Sequence, residues 1–353
     1  MSAKINGIQQ LGIGVDNVDE AWRWYRKHFA MDILMFEEEA VAELMLAHTD
    51  GEPRARYAVL ALNMRGGGGF EIWQHTGKNP ETINVEIQLG DLGINIGIIK
   101  TDNVEVAYKK YKESGLNLLS SIQKDPVGNE HFYLKDIYGN IWEIKNSQDV
   151  FRKEKSVNGG VLGTVIGVKN IEESLKVYKE ILQYDQVVYD QTGIFEDFKG
   201  IPGGNKEFRR VLIKHSDVKN GAFSPFFGES VIELVQVLNR EPLDIYKDRI
   251  WGDPGFIHLC FDINGMDSIR ENTKLLGYPF TVDSARAMDT FDMGDAAGNF
   301  SYIQAPEGTL IEFVETHKIP LVKKMGWYID FRKRGNHPLP NWMLNMFRFK
   351  RVK

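Results

Sequence analysis

The chain has 353 residues, with 43 Lys+Arg against 49 Asp+Glu, a net charge of -6, and 42% hydrophobic residues. That composition is ordinary for a folded globular protein of about two domains, and it excludes disorder and collagen-like repeats. The single cysteine, Cys260, excludes a disulfide framework and a Cys-based zinc module. No apolar run reaches the roughly 18 residues that a membrane span needs, and the N-terminus MSAKINGIQQ lacks a signal-peptide pattern. The expectation is a cytoplasmic protein without a membrane span.

Four segments along the chain read alike: a short apolar strand, a polar turn, an amphipathic helix, then three more strands. They begin with QLGIGVDNVDEAWRWY at Gln10, IGIIKTDNVEVAYKKY at Ile96, GTVIGVKNIEESLKVY at Gly163 and HLCFDINGMDSIREN at His258. In the first three, Asn17, Asn103 and Asn170 stand where a helix N-cap belongs, with acids in the first turn. Tyr25, Tyr108 and Tyr178 are expected at matching places, packing each helix of about three turns onto its sheet.

Each segment also ends alike. FEIWQ carries Glu71, IWEIKN carries Glu143, VIELVQV carries Glu233 and LIEFVET carries Glu312, each inside an apolar strand. Turns precede three of these strands, at Tyr138-Gly139-Asn140, at Pro306-Glu307-Gly308 and in the run Gly66 to Gly69. The glycine run is no phosphate loop, because no Lys-Ser/Thr follows and a strand stands where a helix is required.

The fold class expected is therefore α+β, built from four βαβββ modules. Residues 1–150 hold the first pair (about 5–77 and 92–148), and 151–317 the second (about 158–240 and 254–317). A tail follows at 318–353, with ten Lys/Arg and one acid, Asp330. Its aromatics Trp327, Tyr328, Phe331, Trp342, Phe347 and Phe349 are too many to leave in solvent. Packing onto the acidic body is expected, over the cup or a partner subunit, rather than binding to nucleic acid.

The module order resembles the vicinal oxygen chelate superfamily, which includes glyoxalases, bleomycin resistance proteins and extradiol dioxygenases, over roughly residues 5 to 317. The resemblance implies that two modules join their sheets into a cup holding one divalent ion. Its ligands are expected from the start of the first strand and the Glu of the last strand of each module. By module those slots hold Gln10 and Glu71, Ile96 and Glu143, Gly163 and Glu233, and His258 and Glu312. Only the first and last modules fill both. If neighbouring modules pair, the sets are Glu233, His258 and Glu312 in one cup, and Gln10, Glu71 and Glu143 in the other. If the outer modules pair, one cup holds Gln10, Glu71, His258 and Glu312. The second arrangement explains why the complete modules are first and last, and it resembles the ligand set of eukaryotic-type glyoxalase I.

Period-two alternation turns Leu11, Ile13 and Val15 toward the helix, and Gln10, Gly12 and Gly14 toward the cup. Likewise Leu259, Phe261 and Ile263 face the helix, and His258, Cys260 and Asp262 the cup. His75 and Trp73 share a face with Glu71; His75 reads as a strand-end residue in solvent rather than an acid or base at the cup mouth. His28, His48, His131, His215, His317 and His337 read as helix-end or loop residues. Arg54, Arg56, Arg65, Arg209 and Arg210 read as solvated loop charge.

One imidazole, two carboxylates and an amide suit Zn, Ni, Mn, Co or Fe, without choosing among them. The resemblance implies a lyase or isomerase of the glyoxalase or epimerase type. Such an enzyme acts on a small molecule with vicinal oxygens through an enediolate, with Glu312 as the base and Glu71 its symmetry mate. The alternatives are an extradiol Fe(II) ring-cleaving dioxygenase and a metal-free binding protein. Gly163 stands where the dioxygenases place a second His. Fused modules let a monomer complete the site, and a homodimer is equally compatible.

Overall fold

The computed structural model describes residues 3–83, 85–216, 221–287, 291–292, 297–322, 327–331 and 337–352. The first module runs β1 (Lys4–Gly14), α1 (Val18–Phe29), β2 (Ile33–Ala42), β3 (Arg54–Leu62) and β4 (Gly69–His75). The second runs β5 (Gly93–Thr101), α2 (Val104–Glu113), the short β6 (Asn117–Leu118) and β7 (Gln123–Lys124), β8 (Glu130–Lys135) and β9 (Ile141–Asn146). The third has β10 (Val161–Gly167), α3 (Ile171–Leu175), β11 (Gln186–Gly193), β12 (Phe208–Lys214), α4 (Ser224–Phe227) and β13 (Val231–Val237). The fourth has β14 (Gly255–Asn264), α5 (Met266–Leu275), β15 (Val282–Asp283), α6 (Ser284–Ala287), β16 (Phe291–Asp292), β17 (Ala297–Gln304) and β18 (Leu310–Val322). The C-terminal segment adds β19 (Trp327–Asp330) and α7 (Asn341–Leu344).

The helices start as the caps dictate. Asn17, Asn103 and Asn170 lie in extended backbone, and their side chains accept backbone N–H groups of Glu20, Val106 and Glu172. The third helix departs from a plain α-helix: α3 passes into a π-helical turn over Lys176–Ile181. The tyrosine assignment needs one correction. Tyr108 is only half-buried, and Tyr111, placed after its cap as Tyr25 and Tyr178 are after theirs, is the fully buried equivalent. Each of the three ties its helix to another part of the fold. Tyr25 donates to Asp136 (2.7 Å), Tyr111 to Asn158 (2.9 Å), and Tyr178 to Glu307.

The strands form two curled mixed sheets that do not follow chain order. A 10-stranded sheet has the order β15-β17-β18-β14-β1-β4-β3-β2, with β16 beside β17 and β19 beside β18, and a 9-stranded sheet the order β11-β12-β13-β10-β5-β9-β8-β6, with β7 beside β8. The first and fourth modules thus join through antiparallel β1 and β14, and the second and third through β10 and β5. The helix-facing residues of both sheets merge into one core, with Leu11, Ile13, Leu259 and Phe261 from the outer pair and Ile99, Ile144, Ile166 and Leu234 from the inner pair. Each such side chain contributes about 1.5–3 kcal/mol. Separate apolar clusters line the two cup faces, around Trp73, Trp251 and Tyr302 in one and Tyr133, Phe198 and Phe208 in the other.

The tail is a structured part of the body. β19 extends the outer sheet by pairing with β18, and Ile329, Phe331, Leu339 and Leu344 join Phe223, Phe226 and Phe227 in a further core. The expectation that its aromatics are all covered is corrected: Trp342 and Phe349 are exposed. The side chains of Trp327 and Tyr328 lie outside the described residues.

Candidate metal centre

Strand register builds the site. Gly12 on β1 lies between His258 on β14 and Glu71 on β4; in the adjoining row, Gln10 is followed by Cys260 and then Glu312 on β18. The row position of Gly12 is a steric requirement, because a Cβ there would fall 2.5 Å from His258 Cε1. All four expected side chains of the outer pair therefore converge on the cup face, and all are buried. His258 Nε2 lies 3.1 Å from Glu71 Oε2 and 3.2 Å from Glu312 Oε2. Gln10 Nε2 donates to Glu71 Oε2 at 2.9 Å and to Glu312 Oε2 at 3.4 Å. Glu71, His258 and Glu312 are the group among the described residues that brings three such donor atoms together. The neighbour-paired alternative does not form, since Glu233 lies in the other sheet, bonded to Arg210.

The donor set fits a divalent ion on two observations. First, His258 Nε2 and Gln10 Oε1 are buried without a hydrogen-bond partner, an arrangement that is costly unless something else satisfies them. Second, Glu71 Oε2 and Glu312 Oε2 stand 3.1 and 3.2 Å from Nε2. Adjacent ligands about 2.1 Å from one ion stand about 3 Å apart, which is the separation found here. One contact opposes occupancy. Trp251 Nε1–H donates to His258 Nδ1 at 3.3 Å. A ligand imidazole carries its proton on the nitrogen away from the metal, so an ion on Nε2 must break this bond.

Electrostatics separate the two carboxylates. Burial pushes Glu312 up to about 7, reinforced by Glu71 and opposed by His258. Burial also acts to raise Glu71, but His258, Arg56 and the Gln10 amide outweigh it and hold Glu71 below its ordinary value. His258 is raised: burial would lower it, and Glu312 and Glu71 prevail. Cys260 is raised by burial and by Glu312.

Gln10, Glu71 and Glu312 line a cavity of ≈ 470 Å³ whose walls are mostly apolar, with His258 buried behind them. Trp251 and Tyr302 flank the polar end; Leu60, Leu62, Phe223 and Phe227 line the body side, and Leu339, Met343, Leu344 and Phe347 come from the C-terminal segment. Arg56 reaches the cavity too, paired with Glu38 at 2.7 Å. His75 turns to Asp253 (3.5 Å) and is absent from the lining. Trp251, Leu339, Met343 and Leu344 were not singled out by sequence, whereas Phe347 is one of the tail aromatics expected to be covered. Trp251 sits in a Gly/Pro-containing linker, where no periodicity marks which way a side chain points.

The inner cup has the same two Glu slots and a different filling. Glu143 contacts His131 Nδ1 (2.9 Å) and Lys145 Nζ (3.0 Å), and Lys145 also reaches Asp125 (3.1 Å). Arg210 donates through Nε to Glu233 (2.5 Å) and through Nη1 to Asp197 (2.7 Å), while Tyr189 donates to Glu233 (2.8 Å). Two sequence readings are corrected here. Arg210 is no solvated loop charge and His131 no loop residue: both lie on strands and are fully buried. The first-strand slots are apolar or empty. Ile96 is part of the cup-face core, and a Cβ on Gly163 would fall 1.9 Å from the Val231 carbonyl oxygen.

Residues 7–144 match the family model of the Glyoxalase/Bleomycin resistance protein/Dioxygenase superfamily, which places this part of the chain in that superfamily. The matched span covers the first two modules, one from each sheet. Glyoxalase I from Zea mays shares the fold, at 13% identity over 89% of this chain and 92% of that one, with a TM-score of 0.54. A candidate dioxygenase from Bacillus subtilis does so at 13% identity over 88% and 86%, with a TM-score of 0.55. At such identity the likeness concerns the fold alone. Among curated proteins, no sequence matches the chain. No helix among the described residues is long and apolar enough to cross a membrane.

Proposed function

We propose that the outer cup binds one divalent metal ion through Glu71, His258, Glu312 and the amide oxygen of Gln10. On this reading the protein is a lyase or isomerase of the glyoxalase or epimerase type, acting on a small molecule with two neighbouring oxygens. The observation that carries it is the convergence of these four buried side chains, three of which, Gln10, Glu71 and Glu312, line a substrate-sized cavity. A bound ion supplies Lewis acidity to two adjacent substrate oxygens.

The chain's own residues supply the rest. Glu312, with Glu71 its symmetry mate, takes a proton from the carbon beside the substrate carbonyl and returns it. Glu71 stays ionised. Without the ion Gln10 Nε2 holds both carboxylates, and the amide must turn over and give up those hydrogen bonds to offer Oε1. Trp251 and Tyr302 exclude water from the polar end.

Ring cleavage by iron has less support, because the described cluster has one imidazole where that triad uses two. The test is solvent deuterium uptake at the carbon next to the carbonyl of hydroxy-carbonyl compounds, followed by NMR with metal-loaded protein. Uptake by the wild type and a loss of about 10²–10⁴-fold in Glu312→Gln are expected. No uptake by the wild type, together with oxygen consumption on catechols with added Fe(II), reverses the assignment in favour of a dioxygenase.

A further inference from the structure

The two ends of the outer cavity differ in chemistry, and the difference speaks to the substrate. The floor is polar and holds Gln10, Glu71 and Glu312; the far wall is aliphatic and aromatic, and much of it comes from the C-terminal segment. We propose that the substrate is an uncharged molecule with vicinal oxygens at one end and an alkyl or aryl body at the other, and that the C-terminal segment is the specificity element that receives this body. The proposal rests on the metal reading for the oxygen end only.

Three observations carry it. First, the cations of the lining are already engaged: Arg56 with Glu38 at 2.7 Å, and Lys350 Nζ with the Met35 carbonyl oxygen at 3.3 Å. A substrate bearing carboxylates or phosphates would have to displace these partners, and would face Glu38 and Glu43 in the same lining. Second, the segment is fixed in place. Leu339 and Leu344 are buried, Phe347 packs against Phe226 (5.6 Å between centroids), Asn345 accepts from Arg152 (2.7 Å), and Arg351 pairs with Asp32 (3.2 Å). It is a wall held from both sides, able to select by shape. Third, the residues it turns to the cavity include Met343 and Met346, flexible thioethers suited to apolar bodies of varied outline. The cavity volume, ≈ 470 Å³, exceeds what a three-carbon hydroxy-carbonyl compound would fill.

The test uses the full-length, metal-loaded protein and three probes. These are catechol, 4-octylcatechol, and the uncharged fluorophore N-phenyl-1-naphthylamine, which has no vicinal oxygens. Each buried methylene is worth about fourfold in affinity. 4-Octylcatechol is therefore expected to bind at least about 100-fold tighter than catechol and to displace the fluorophore. Met343→Glu should weaken 4-octylcatechol at least about tenfold while leaving catechol affinity and metal content unchanged. Met346→Glu, at an exposed position, repeats the test should Met343→Glu lose its fold. Equal affinity for the two catechols, or no displacement of the fluorophore, overturns the proposal.

Chelator-treated protein separates the two readings. If the fluorophore and 4-octylcatechol bind equally well with and without metal, the oxygen end is wrong and the apolar body stands. If catechol binding needs metal but the octyl chain adds nothing, the metal reading stands and the apolar substrate class falls.

Discussion

The two cups are built from the same module and keep the same pair of glutamates, yet they treat that charge in opposite ways. In the inner cup Glu143 and Glu233 are neutralised from within by Lys145, His131 and Arg210. In the outer cup Glu71 and Glu312 face one imidazole and one amide, with no Lys or Arg ion pair to either among the described residues. A protein interior tolerates buried carboxylates only with compensating charge. Side chains supply that charge in one cup; in the other, the account assigns the role to a divalent ion. In the inner cup Arg210 and Lys145 stand beside the glutamates, and Ile96 and Gly163 occupy the first-strand slots.

The largest effect that would sharpen this contrast is on stability. Arg210→Met leaves Glu233 and Asp197 buried without their cation and should cost roughly 3–5 kcal/mol in chemical denaturation. The outer counterpart, Glu71→Gln with Glu312→Gln, should leave stability in chelator within about 1 kcal/mol of the wild type or above it, since it removes two like charges from a functional site. Equal losses in the two cups would erase the distinction.

Acid should distinguish the cups next. Burial opposes ionisation of Glu143, but Lys145 and His131 outweigh it and hold this carboxyl well below its usual range. A depressed carboxylate contributes stability that is present above its unfolded pKa, here 4.5, and lost as pH falls through the folded value. Below pH 4.5 the wild type should therefore lose stability by up to about 1.4 kcal/mol per pH unit more steeply than Glu143→Gln with Lys145→Met. Parallel profiles of the two proteins would remove the inner network as a source of stability.

The smallest effect concerns Trp251. Its indole N–H occupies His258 Nδ1, so a bound ion must forfeit that hydrogen bond. Trp251→Phe keeps the ring and removes the donor, and should tighten metal binding by about three- to tenfold in competition with a chromogenic chelator. Weaker binding would mean that the indole supports the site rather than opposing it.

Much of this architecture is legible in the sequence because it is periodic. The Asn caps of three modules, the strand alternation and the glutamate at each module's end recur in the same order, and the resemblance to the vicinal oxygen chelate superfamily then points to Gln10, Glu71, His258 and Glu312. What spacing cannot supply is a partner brought by tertiary packing. Arg210 reads as loop charge because a cation next to Arg209 looks solvated, and only the curl of the sheet turns it onto Glu233. Tyr111 is passed over for Tyr108 although the cap spacing marks it. Trp251 and the residues around Met343 lie outside any repeat, and they reach the cavity only because a linker and the C-terminal segment fold over the cup.

The central claim is tested most directly by the metal content of the purified wild type beside Glu71→Ala and Glu143→Ala. About one divalent ion per chain is expected in the wild type, lost in Glu71→Ala and retained in Glu143→Ala. Metal that persists in Glu71→Ala, or disappears in Glu143→Ala, would contradict it.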